Sequence, residues 1–171
     1  MAQQMSKKAL LSNLSVEYAS KLLRAAEHLT FQADDVILRT GEKADQFYVL
    51  LEGTVAVEMI RPAFSVRIQV LGPGEGFGWS ALISGSDTMF QVRAREDCTV
   101  ACIGRKALKA LCEAEPEFGV QFLCSVLHLV ARRIHATEER LYEFCTHPSD
   151  ETATAAPDAT VLSSMARAET D

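Results

Sequence analysis

The residues with the clearest capacity for chemistry are Gly76-Phe77-Gly78, which lead into Trp79-Ser80-Ala81-Leu82. Glycine-flanked backbone amides entering a short helix form a concave set of N–H donors that suits an anion, and the same residues also suit a plain tight turn. Cations able to complement such a nest are Arg93 and Arg95, which alternate with Val92 and Ala94 and so share one strand face. Spacing alone leaves open whether those arginines, or Arg67 on another run, face solvent or the mouth of a pocket. Trp79 also has two readings. Its ring stacks on a planar ligand, or it fills the cavity and turns it into core.

Other polar groups do not assemble into a catalytic pattern. Asp34 and Asp35 are adjacent and cannot share a strand face, His28, His128 and His135 lack metal-ligand spacing, and no serine occupies a nucleophile elbow. Cys98, Cys102, Cys112, Cys124 and Cys145 are odd in number with no close CxxC pair, against a disulfide framework or a structural zinc. Cys98 and Cys102 read as small core filling, and Cys145 lies near His147 at the end of the last helix, where a metal or redox role is conceivable. The expectation is a protein that is not an enzyme and holds no metal.

These residues need a scaffold, and 171 residues with 48% hydrophobic content suffice for one domain with a short appendage. The net charge of -6 repels phosphate backbones, and Lys7-Lys8, Arg105-Lys106-Lys109 and Arg132-Arg133 read as solvated helix faces, so no nucleic-acid partner is expected. No apolar run suits a signal peptide or a bilayer span, which gives a cytoplasmic expectation with no membrane partner.

The spacing predicts a helix over 14–26 capped by Ser15, with Val16, Ala19, Leu22, Leu23 and Ala26 as its apolar stripe. Short β-rich runs follow at 36–38, 47–51, 54–59, 65–71, 90–95 and 99–103, broken by Gly41-Glu42, Glu52-Gly53 and Gly72-Pro73-Gly74. Many short strands at this spacing suggest a sandwich or barrel. A helix over 105–113 precedes a long one over 116–144 that starts at Pro116. In the long helix Val120, Leu123, Leu127, Val130, Ile134, Thr137, Leu141 and Phe144 recur at spacings of three and four, a heptad seam, while Phe118, Phe122, Val126 and Leu129 widen the stripe. A homodimer through this helix is expected, with coverage of its own domain as the other reading. The expected boundaries are a domain over 1–145 and a disordered tail over 146–171, poor in large apolar residues.

Taken in order, Phe31 with Asp34-Asp35-Val36-Ile37, Gly41 to Leu50, Glu52 to Val57, Leu71 to Gly78 and Ala131 to Thr137 resemble the cyclic nucleotide-binding domain family. The likeness is to the catabolite-activator-type sensor, without its helix-turn-helix, and spans roughly residues 19–141. It implies an eight-stranded jelly roll, a double-stranded β-helix, mainly β with flanking helices and followed by a long C-terminal helix. It also implies a ligand site at Gly76, Phe77, Gly78, Trp79, Ser80, Ala81, Thr88, Met89 and Thr137, holding cyclic AMP, cyclic GMP or another small anionic ligand. Trp79 stands where the family has the ribose-binding glutamate and Thr88 where it has the phosphate-binding arginine. Losing two such anchors removes on the order of 3 to 6 kcal/mol of binding. Two functions follow: a non-enzymatic sensor module that acts through a separate effector protein, or a degenerate, ligand-free dimeric scaffold.

Overall fold

Alternation along Phe47–Leu50 decides the layering of the molecule. The computed structural model describes residues 10–83 and 86–146. Strand β3 (Gln46–Glu52) turns Phe47 and Val49 to one face and Tyr48 and Leu50 to the other, and all four are buried. Strand β8 (Cys98–Gly104) pairs antiparallel with it and repeats the division, with Ala101 and Ile103 on the first face and Cys98, Val100 and Cys102 on the second. A strand buried on both faces reads as a continuous apolar run, as Phe47 to Leu51 does.

Strands β1 (Glu27–Phe31) and β6 (Gly76–Phe77) complete this sheet in the order β1-β8-β3-β6. The second sheet, ordered β2-β7-β4-β5, contains β2 (Val36–Leu38), β4 (Val55–Arg61), β5 (Phe64–Leu71) and β7 (Gln91–Ala94). Val55, Val57, Leu71, Val92 and Ala94 from it meet Tyr48, Leu50, Phe77 and Val100 in an inter-sheet core. The other face of the first sheet lies under helices α1 (Val16–Arg24), α2 (Arg105–Ala114) and α3 (Pro116–Thr146), through Leu22, Leu108, Phe118, Phe122, Val126 and Leu129. Phe122 meets Phe47 edge to face at 5.3 Å.

The mainly β, eight-stranded jelly roll is corrected on two counts. The eight strands form two separate four-stranded antiparallel sheets that are not closed into a barrel or jelly roll. The helices also hold more residues than the strands, so the fold is mixed α and β. The reason is local: β2 has three residues and β6 two, too few backbone donors and acceptors to zip one sheet to the other. Burial of the first sheet's outer face passes instead to helices.

Local readings vary in how well they survive. The Ser15 side chain accepts from the Tyr18 amide at 3.2 Å and caps α1. Val16, counted in its apolar stripe, is instead 89% exposed. Gly41 and Gly53 take φ of 83° and 82°, as tight turns demand. Strands β1 and β6 had not been anticipated. The expected tail lies outside the described residues except for Thr146, the last residue of α3. The chain divides into units over 1–137 and 138–171. Among the described residues no helix is long and apolar enough to cross a membrane.

Candidate functional site

Strand β6 ends where the glycine loop begins, and packing explains both of its glycines. A side chain at Gly76 would meet the Phe47 ring at 2.9 Å, and one at Gly78 would meet the Gln46 carbonyl at 2.8 Å. Gly78 takes φ 78° and starts the 3-10 turn Trp79–Leu82. Of the residues named from the sequence, Phe77, Gly78, Trp79, Ser80, Thr88 and Met89 line one cavity, joined by Leu38, Val57, Phe90, Val92 and Arg133. Gly76, Ala81 and Thr137 are not part of its lining. Ala81 is buried, and the Thr137 hydroxyl donates to the Arg133 carbonyl at 2.7 Å, one turn earlier on α3.

The cavity measures about 20 Å³, room for a single water-sized group. A second, more polar cavity of about 150 Å³ shares Leu38, Gly78, Ser80 and Thr88 with it and adds Glu42, Lys43, Asp45, Gln46 and Tyr48. Small-molecule pockets usually reach roughly 300 to 1,000 Å³, so neither space holds a whole nucleotide as it stands. Trp79 is half-buried and packs against the core beneath the helices while lining the small cavity.

Of the two directions that spacing leaves open for the strand arginines, the structure takes the one away from the cavities. Arg93 pairs with Glu58 at 3.5 Å and donates to the Asp34 carbonyl at 2.8 Å, while Arg95 is exposed, and neither lines the two cavities. The cluster Arg132-Arg133 had been read as a solvated helix face, which the structure corrects. Arg133 is only 4% exposed and reaches the small cavity, and its Nη1 has no hydrogen-bond partner among the described residues. Burial, with neighbouring Arg132 adding to it and Glu75 opposing it, pulls the guanidinium down to about 10. It therefore still carries its charge at neutral pH. Arg132 is half-buried and donates to the Glu75 carboxylate at 3.2 Å, which also accepts the Gly72 amide at 2.8 Å. Arg105 is likewise no solvated residue, since it donates to the Ala44 and Ile83 carbonyls.

Sequence reasoning missed Arg133. The available signal was its position three residues after Val130 and four after Leu129, on the same helical face, but the doublet with Arg132 masked it. Neighbours on a helix are rotated by about 100°, so one can face the core while the other reaches its rim.

Paired sheets, glycine loop and covering helix together define the class of domain, and the comparisons with known proteins agree on it. The cyclic nucleotide-binding domain model matches residues 28–115, just over half of the chain, and the chain belongs to that family. A cyclic nucleotide-gated potassium channel of Mesorhizobium japonicum is 31% identical over 113 residues, which is 66% of this chain and 30% of the channel. A cAMP-dependent protein kinase regulatory subunit of Hypocrea atroviridis is 34% identical over 104 residues, 60% of this chain and 21% of that subunit. The chain thus spans less than a third of the length of these relatives. Among solved structures, the c-di-GMP-responsive global regulator of Xanthomonas campestris superposes with a TM-score of 0.72 at 19% identity, over 77% of this chain and 65% of that one. At that identity the likeness concerns the fold. Arg133 and Thr137 lie beyond the matched span.

Proposed function

We propose that this chain senses a small anionic ligand at the Gly76–Ala81 loop with Thr88 and Met89, and passes the signal through α3 to a separate effector protein. The observation that carries this reading is convergence: Phe77, Gly78, Trp79, Ser80, Thr88 and Met89, distant in part along the chain, line one cavity against α3. A ligand there shifts the helix only insofar as it binds one helix position more tightly than another. Cyclic AMP and cyclic GMP are the first candidates, on family grounds. The α3 surface carries exposed Val120, Leu123, Leu127 and Ile134, which supports a homodimer through the helix. Thr137 joins the site only if that assembly brings a ligand to it.

The ligand-free scaffold is favoured by a different observation, the volume of about 20 Å³ beside Trp79. In that reading the indole has become core and the exposed α3 surface carries the function. Isothermal titration of the full chain, freed of carried-over ligand, with cyclic AMP and cyclic GMP to millimolar concentration separates the two. Saturable micromolar binding supports the sensor. No heat with either nucleotide, together with a Trp79→Ala variant that binds no better, supports the scaffold.

A further inference from the structure

We propose that the open recess between the turn before β3 and the start of α2 is a docking site for an acidic segment of a partner protein. The proposal goes beyond the ligand cavity and holds for either reading of it.

The recess has a volume of about 430 Å³, and among the described residues it is lined by Lys43, Asp45, Gln46, Gly104, Arg105 and Lys106. Three cations thus stand against one carboxylate, in a chain whose net charge is -6. Elsewhere the lysines of this surface have carboxylate partners, Lys21 at Glu17 and Glu115, and Lys109 at Glu113. Lys43 and Lys106 are exposed and stand in no ion pair among the described residues. Arg105 donates to the Ala44 and Ile83 carbonyls, which hold the guanidinium without bringing a counter-charge, and its buried Nε has no hydrogen-bond partner among the described residues. Gln46 accepts the Tyr48 hydroxyl at 2.6 Å through its side-chain oxygen, which leaves its amide nitrogen to donate into the recess.

These groups fit carboxylates carried on a peptide. Like charges grouped without counter-charge repel, and carboxylates of a partner relieve that repulsion through charge-assisted hydrogen bonds. Asp45 separates one kind of polyanion from another. It accepts from peptide N–H groups, whereas a run of phosphodiesters offers it no donor and is repelled by it and by the net charge of the chain.

The recess also adjoins the glycine loop. Lys43, Asp45 and Gln46 line the polar space of about 150 Å³ that reaches Gly78, Ser80 and Thr88. Ile83, whose carbonyl accepts from Arg105 at 3.3 Å, ends the 3-10 turn Trp79–Leu82. A shift of that turn therefore reaches Arg105 and the recess, an output surface separate from the exposed face of α3.

The test uses the full chain and a fluorescently labelled short polyglutamate peptide, read by anisotropy, with a polyglutamine peptide and an oligothymidylate as controls. Saturable binding of the glutamate peptide is expected, weakening as sodium chloride is added, with none of the glutamine peptide. Lys43→Ala with Lys106→Ala is expected to weaken it roughly three- to thirtyfold and to leave the melting temperature unchanged, because both side chains are exposed. Arg24→Ala with Lys109→Ala removes the same charge outside the recess and should bind as wild type does. Trp79→Ala, which alters the turn and leaves the recess side chains in place, is expected to change the peptide affinity by about twofold or more.

A wild type that does not bind the glutamate peptide, or equal losses in the two double variants, overturns the docking site. Tighter binding of oligothymidylate, lost with Lys43 and Lys106, overturns the acidic segment in favour of a nucleic acid. Peptide affinity unchanged in Trp79→Ala overturns the link through Ile83 and Arg105.

Discussion

Helix α3 meets the sheets in two places that differ in kind. From Phe118 to Leu129 it is held by apolar side chains that interlock with Phe47, Val49, Ala101 and Ile103 of the first sheet. One turn later, at Arg132 and Arg133, it is held by charge: one ion pair to Glu75 and one buried guanidinium beside a small cavity. Apolar packing has no direction and no titratable partner, so the first contact is fixed once the core forms. A buried charge changes its free energy with whatever stands beside it, so the second contact is the one a ligand can alter. Scaffold and response are thus separated along a single helix.

Breaking the first contact should have the largest effect. Phe122→Ala removes a fully buried ring that stacks on Phe118 and meets Phe47 edge to face and is expected to cost about 3–5 kcal/mol in urea unfolding. A cost below about 1 kcal/mol would mean that the helix is not clamped there. Glu75→Gln loosens the second contact by weakening the bonds from Arg132 and the Gly72 amide. It is expected to lower stability by about 1–2 kcal/mol, less than the usual range for a charged hydrogen bond because the arginine is partly exposed. If the two contacts differ in this way, this loss should shrink when cyclic AMP is added, whereas the Phe122→Ala loss should not.

Smaller effects sharpen the comparison. Arg93→Ala removes a part-exposed pair with Glu58 and should cost about 0.2–1 kcal/mol with no change in ligand response. Loss of ligand response in that variant would place the anion site at β7. Leu127→Lys with Ile134→Lys alters side chains that are 68% and 54% exposed, and each protomer's own stability should shift by about 0.5 kcal/mol or less. Sedimentation at micromolar concentration should nevertheless show a wild-type dimer and a double-variant monomer. A wild-type monomer would show that the exposed α3 surface serves something other than self-association.

The boundaries of α2 and α3, and of β2 to β5, lie close to what apolar period, glycine turns and Pro116 had indicated. Strand β1 was passed over because Glu27-His28-Leu29-Thr30-Phe31 has only two large apolar residues, and its pairing with β8 supplies what its composition lacks. Strand β6 is two residues inside a glycine loop and has no sequence signature of its own. On α3 the sequence showed Val120, Leu123, Leu127 and Ile134 in one seam widened by Phe118, Phe122, Val126 and Leu129, and the structure separates the two sets by exposing the first and burying the second.

What the sequence by itself determined is local and periodic: where strands and helices run, which glycines permit turns at positive φ, and which family the ordered motifs resemble. Those properties depend on residues near one another along the chain, and period and turn chemistry express them directly. Only the tertiary structure decided that the strands form two unclosed sheets, that the cavity beside Trp79 shrinks to about 20 Å³, and that Arg133 rather than Arg93 lies within it. Sheet closure, cavity volume and the burial of a charge depend on distances between elements far apart in sequence. Two adjacent arginines look alike in a string of letters, and a helical rotation of about 100° sends one to the rim and the other into the core.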